Sequence, residues 1–217
     1  MITYTLVGLL SLTIICLASY LFSINLLYKK KNKRAINIKN HFGYEIVPQK
    51  GENTFFINVL LLIAMLSFLT ATILNVVTHF GAFNLVISIA SLLLVFILVA
   101  LPFIDLKYLK EHLYLDIGMV VLFFLINGLL TYSSYQMCKV YDYKNINGII
   151  ALVISATMLI VSLVFFINPK LFNLSGDKHE DGTVTRPKVI HLALVEWLVT
   201  FFIPILFTPI ILLSTIM

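Results

Sequence analysis

Charge is what this chain has least of: charged residues make up 12 % of its 217 positions, against 60 % hydrophobic. A water-soluble domain is about half apolar and about a quarter charged. The shortage excludes an ordinary soluble core, because a single domain of this length has nowhere but lipid to bury so much apolar surface. Cysteine is almost as scarce. Cys16 and Cys138 stand far apart and no CxxC occurs, which excludes a disulfide framework and the usual zinc or redox spacing. Both read as small apolar fillers.

Catalytic signatures are missing too. The chain has no Gly-Lys-Ser/Thr phosphate loop, no HExxH, no GxSxG and no paired-glutamate protease motif. No lysine or arginine lies within an apolar segment where it could clamp a phosphate. The expectation is a protein that is not an enzyme and holds no cofactor or metal. A signal peptide is excluded in the same way: the first segment lacks a basic n-region, and its apolar run over 2–28 is too long for an h-region. Cys16 follows Thr13-Ile14-Ile15 without the small residue that lipoprotein processing needs, and neither end carries a lipid-anchor pattern. No internal repeat is visible.

What is present is six long apolar stretches, at about 3–28, 54–77, 82–104, 113–135, 147–167 and 192–216. Crossing a hydrocarbon core of about 30 Å takes roughly 20 helical residues. Helix is the expected form, since lipid satisfies no backbone N–H or C=O group and runs such as 92–99 do not alternate as barrel strands do. The fold class is therefore all-α: a polytopic integral membrane protein with about six transmembrane helices in one bundle, forming a single domain over 1–217.

The basic residues give the orientation. Loops 29–53, 105–112 and 168–191 hold thirteen of the fifteen lysines and arginines, and only Lys139 and Lys144 fall on the opposite side. By the positive-inside bias those three loops are cytoplasmic and both termini are extracytoplasmic, in a plasma membrane. The Lys-, Asn- and Ile-rich usage resembles that of AT-rich Gram-positive bacteria, so the membrane is read as bacterial. The net charge of +5 is assigned to this bias and to anionic headgroups, not to nucleic acid. Lys29, Lys30, Lys31, Lys33 and Arg34 form the block expected to lie on those headgroups, at about 1 kcal/mol per basic residue near the surface. Thr78 to Gly81 reads as a tight external turn, with Gly81 free to take positive φ. Tyr132, Tyr135, Tyr141 and Tyr143 read as an aromatic belt at headgroup level, in preference to a sugar- or peptide-binding patch. The loop 168–191, with its Ser175 to Gly182 run, reads as solvated and without a fold of its own.

Two carboxylates, Asp116 and Glu196, fall inside the apolar segments, and an intramembrane carboxylate raises a functional hypothesis. His112 precedes Asp116 by four residues and His191 precedes Glu196 by five, so the four could converge as a proton relay or a weak metal site. Asn127, eleven residues past Asp116, returns to nearly the same helix face. Against this stands the simpler expectation that both acids cap helix N-termini at interfacial depth, and that Asn58, Asn75, Asn84 and Asn127 bridge helices. Pro204 and Pro209 are expected to kink the last helix.

These features lead to a non-enzymatic protein that works through protein–protein contact in the bilayer, as an accessory subunit or a toxin-immunity protein, with a membrane or secreted protein as partner. The alternative is a small transporter or channel, proton-coupled through Asp116 and Glu196, in which oligomerisation could complete a pore.

Overall fold

The computed structural model describes residues 2–33, 35–39, 41–42, 55–78, 82–104, 109–171, 177–178, 184–185 and 188–215. Arg34, residues 79–81, where a tight turn was expected, Lys107, most of the 172–183 stretch and the side chains of Lys31 and Lys110 lie outside the described residues.

Six helices are long and apolar enough to cross a membrane. They are α1 (Ile2–Asn32), α2 (Phe55–Thr78), α3 (Ala82–Ala100), α4 (Leu109–Val140), α5 (Ile146–Ile167) and α6 (His191–Ser214). A 3₁₀ turn, Leu101–Phe103, extends α3, with Pro102 in its first positions, where a missing N–H costs least. Between α5 and α6 a two-rung antiparallel ladder pairs Asp177 with Thr185 and Lys178 with Val184. The loop expected to have no fold of its own thus holds one short antiparallel ladder among its described residues.

Helix α4 runs five residues past the expected 135. Of the tyrosines read as a belt, Tyr132 and Tyr135 lie in the helix, which continues to Val140, while Tyr141 and Tyr143 lie in the turn after it. At a membrane surface polar side chains can be wet while the backbone stays bonded within the helix. The stop comes at Asp142 and Tyr143, both at positive φ (49° and 56°), where the Tyr143 N–H closes on the Cys138 carbonyl at 2.7 Å. That is a left-handed C-terminal cap built without glycine. Asn145 then starts α5, its side chain accepting from the N–H groups of Asn147 and Gly148. At the end of α1 the same device recurs: Lys33, at φ 54°, donates its N–H to the Lys29 carbonyl at 2.9 Å. Lys29 and Lys30 therefore ride the last turn of a helix, where the macrodipole favours cations.

Consecutive helices pack side by side, and α6 also touches α1, α2 and α4. It is the axle of the bundle, more than half buried over its span, whereas only about a quarter of the residues of α1 and α5 are buried. Their exposed faces carry Ile15, Phe22, Val153, Ile160 and Val164, an apolar rim suited to lipid. With lipid outside, helix association rests on close packing and interhelical hydrogen bonds, and both are present. Phe68 of α2 meets Phe207 of α6 edge-on at 5.5 Å, and Phe123 of α4 stacks near Phe202 of α6 at 6.4 Å. Thr13 of α1 reaches the Ala64 carbonyl of α2 at 3.4 Å, and Ser88 of α3 reaches the Thr72 carbonyl of α2 at 3.0 Å. At the end away from the α1 lysines, Asn147 bonds Thr215 at 3.0 Å, tying the start of α5 to the end of α6.

Candidate functional site

The intramembrane carboxylates are both buried in the bundle. Asp116 is fully buried and Glu196 is 6 % exposed. Asp116 is the eighth residue of α4 and Glu196 the sixth of α6, past the first turn in which a helix dipole acts. Neither sits in the first turn of its helix as an N-terminal cap would. His112 is also fully buried, with its Nε2 3.1 Å from the Ile104 carbonyl. His191 is half-buried at the start of α6, its Nδ1 3.3 Å from the Asn168 amide. Each histidine is thus engaged with the connection beside its own helix.

Glu196 lines a small cavity of about 20 Å³ with Tyr20 of α1, Leu61 of α2, Leu98 of α3, Pro102, and Trp197 and Thr200 of α6. A volume of roughly 10–15 Å³ suffices for one water, so the space takes a water and no solute. Asp116, His112 and His191 are not among its walls. Asn127 is elsewhere again: its amide donates to the Phe123 carbonyl at 2.8 Å and to the Ser162 hydroxyl at 3.3 Å. It bridges α4 to α5. Among the described residues no group of three or more His, Cys, Asp and Glu is arranged to hold a metal ion.

The helix around Glu196 is built to bend. Thr200 donates its hydroxyl back to the Glu196 carbonyl at 2.9 Å, and Pro204 removes the donor that the Thr200 carbonyl would use in a regular helix. The chain after α1 then folds over the start of α6. Ile36 N–H donates to Asn25 Oδ1 at 3.4 Å, Ile190 N–H to the Lys39 carbonyl at 2.7 Å, and the Trp197 indole to the His41 carbonyl at 2.7 Å. Tyr28 lies 3.3 Å from His41 Nε2, and Phe42 is buried in the core. This strap, Tyr20 and Trp197 were not visible to motif reading. Tyr20 leaves little signal in the sequence, since Ser11, Thr13, Ser19 and Ser23 also carry hydroxyls along the same segment.

The larger space is at the opposite end of the bundle. An open cavity of about 440 Å³ lies between α2, α3, α4 and α6, lined by Asn75, Phe83, Asn84, Tyr132, Ser133, Gln136, Met137, Val140 and Leu213. Its volume falls in the range of about 300–1,000 Å³ typical of ligand pockets. Phe83 and Tyr132 pack at 4.9 Å across one side. Tyr132, expected only as a belt residue, therefore also forms a cavity wall. Four helices contribute the lining, so no local spacing announces it.

No family model matches this chain, and neither a curated protein nor a solved structure shows significant similarity to it.

Proposed function

We propose that this is a non-catalytic, multi-pass membrane protein that acts by binding a membrane or secreted protein partner, with the lysine-rich loops in the cytoplasm and the open cavity facing outward. The cavity of about 440 Å³ carries the reading. It is large enough to seat part of a partner, and it combines side-chain amides and hydroxyls with apolar walls. The charge distribution supports the orientation: the basic block at the end of α1 and the cavity occupy opposite ends of the bundle. The space beside Glu196 holds about one water, which suits a sealed bundle better than a conduit.

The test is a photoreactive residue at Met137 in the cavity, with Val164 on the exposed face of α5 as control. A protein adduct formed at Met137 and absent at Val164 is the expected result. It should survive Asp116→Asn and Glu196→Gln. Lipid adducts alone at Met137 would remove the proposal.

One observation favours the transporter reading as a second choice: both carboxylates are enclosed by protein instead of facing headgroups. Proton flux in proteoliposomes, lost in Asp116→Asn with the fold intact, would move that reading ahead. Wild-type protein without flux would dispose of it.

A further inference from the structure

The chain after α1 does not run straight out into water. Ile36 is held by Asn25, seven residues before the end of α1 at Asn32, a distance of about 10 Å at about 1.5 Å per residue. The Trp197 indole holds the His41 carbonyl from the second turn of α6, and Phe42 is buried in the core. The strap therefore doubles back alongside both helices. Lys29 and Lys30 stand exposed at the end of α1, which marks that level as headgroup, because a lysine in hydrocarbon is costly. Beside the turns that precede them, the strap lies at the boundary between headgroups and acyl chains.

Two exposed apolar side chains stand at this boundary, Ile38 in the strap and Val189 just before α6. The hydrogen bond from the Ile190 N–H to the Lys39 carbonyl, at 2.7 Å, ties the two segments together. Ile38 and Val189 thus belong to one junction, and the exposed Lys39 and Lys188 flank it. Lysine can lay its apolar stem along an acyl boundary while its ammonium group reaches the headgroups. The sign of charge at this end rests on the whole chain: loops 29–53, 105–112 and 168–191 together carry thirteen basic residues against seven acidic ones.

We propose that the strap and the residues before α6 form a binding surface for anionic phospholipid, with Ile38 and Val189 in the acyl boundary and Lys39 and Lys188 on the phosphates. A zwitterionic headgroup brings its own ammonium to the same lysines and is held less well. Because the strap is bonded to both α1 and α6, bound lipid also braces those two helices against each other.

Full-length protein in phosphatidylcholine nanodiscs provides the test. A trace of phosphatidylglycerol carrying a diazirine near the top of one acyl chain is the probe, and phosphatidylcholine with the same group is its comparison. Adducts are mapped by mass spectrometry of the digested chain. The anionic probe should label residues 35–42 and 188–190 at least about tenfold more than the zwitterionic one, since each lysine near an anionic surface is worth roughly fivefold in affinity. Lys39→Gln combined with Lys188→Gln should bring the two probes level. Lys39→Arg combined with Lys188→Arg should keep the excess, which separates lost charge from a disturbed strap. Lys139→Gln combined with Lys144→Gln, at the other end of the bundle, should also keep it. Equal labelling by the two probes, adducts absent from both segments, or an excess that survives the glutamine pair at Lys39 and Lys188 overturns the proposal. So does an excess lost in the arginine pair or in the pair at the other end.

Discussion

Asn127 illustrates how much a single polar side chain contributes in this bundle. Its amide nitrogen serves two acceptors, while its oxygen is buried without a hydrogen-bond partner. Replacing it with leucine removes a bridge of about 0.6 kcal/mol on average and also removes that buried oxygen, so Asn127→Leu should change stability by less than about 1 kcal/mol. Asn127→Asp should destabilise by several kcal/mol, since it buries a charge beside carbonyls. Thermal unfolding in detergent would compare the two, and equal effects would contradict this account. Trp197→Phe keeps most of the ring and deletes the donor to the His41 carbonyl. A loss of about 1 kcal/mol is expected, with faster amide hydrogen exchange over residues 35–42. Unchanged exchange there would mean the strap is held by other contacts. At this scale the sequence pointed to Asp116 and Glu196 because carboxylates are conspicuous against apolar neighbours. Whether they face lipid or protein depends on helix rotation, and motif spacing does not reveal that.

At the scale of the element, two glycines of α4 make opposite forecasts. A Cβ at Gly128 would meet Leu159 Cδ1 at 3.9 Å, an ordinary contact, whereas at Gly118 it would meet Ile97 Cδ1 at 3.3 Å. Gly128→Ala should therefore stabilise the protein by up to about 1 kcal/mol through helix propensity. Gly118→Leu should destabilise it by about 1–3 kcal/mol, since the larger side chain must push α3 away. Chemical denaturation of the two variants would check the contrast. The helices themselves were legible almost throughout, because about 20 apolar residues in lipid leave the backbone few alternatives. The last five residues of α4 were not, since Gln136 and Lys139 interrupt the apolar run while their backbone remains helical. The ladder of Asp177 to Thr185 escaped because two rungs leave no periodicity to read.

For the whole molecule, the uneven distribution of lysine and arginine predicts which groups a membrane-impermeant maleimide can reach. Native Cys16 and Cys138 are buried and should stay silent in intact cells. A cysteine placed at Tyr141 or Thr215 should be labelled from outside, and one at Lys33 only after the membrane is opened. The reverse pattern would invert the orientation. The cavity of about 440 Å³ was invisible in the sequence because its walls come from four helices whose order in space is set by packing. That packing converges on α6, which touches α1, α2, α4 and α5. It is also the last of the six helices to leave the ribosome. Until it is made, Phe68 lacks its ring partner Phe207, and Tyr20 lacks Glu196, Trp197 and Thr200, which line the same small cavity. The packing of α1 and α2 against α6 is thus completed only once residues 191–214 have been made, and any delay in translating them prolongs the stage at which those faces are open to other helices in the membrane.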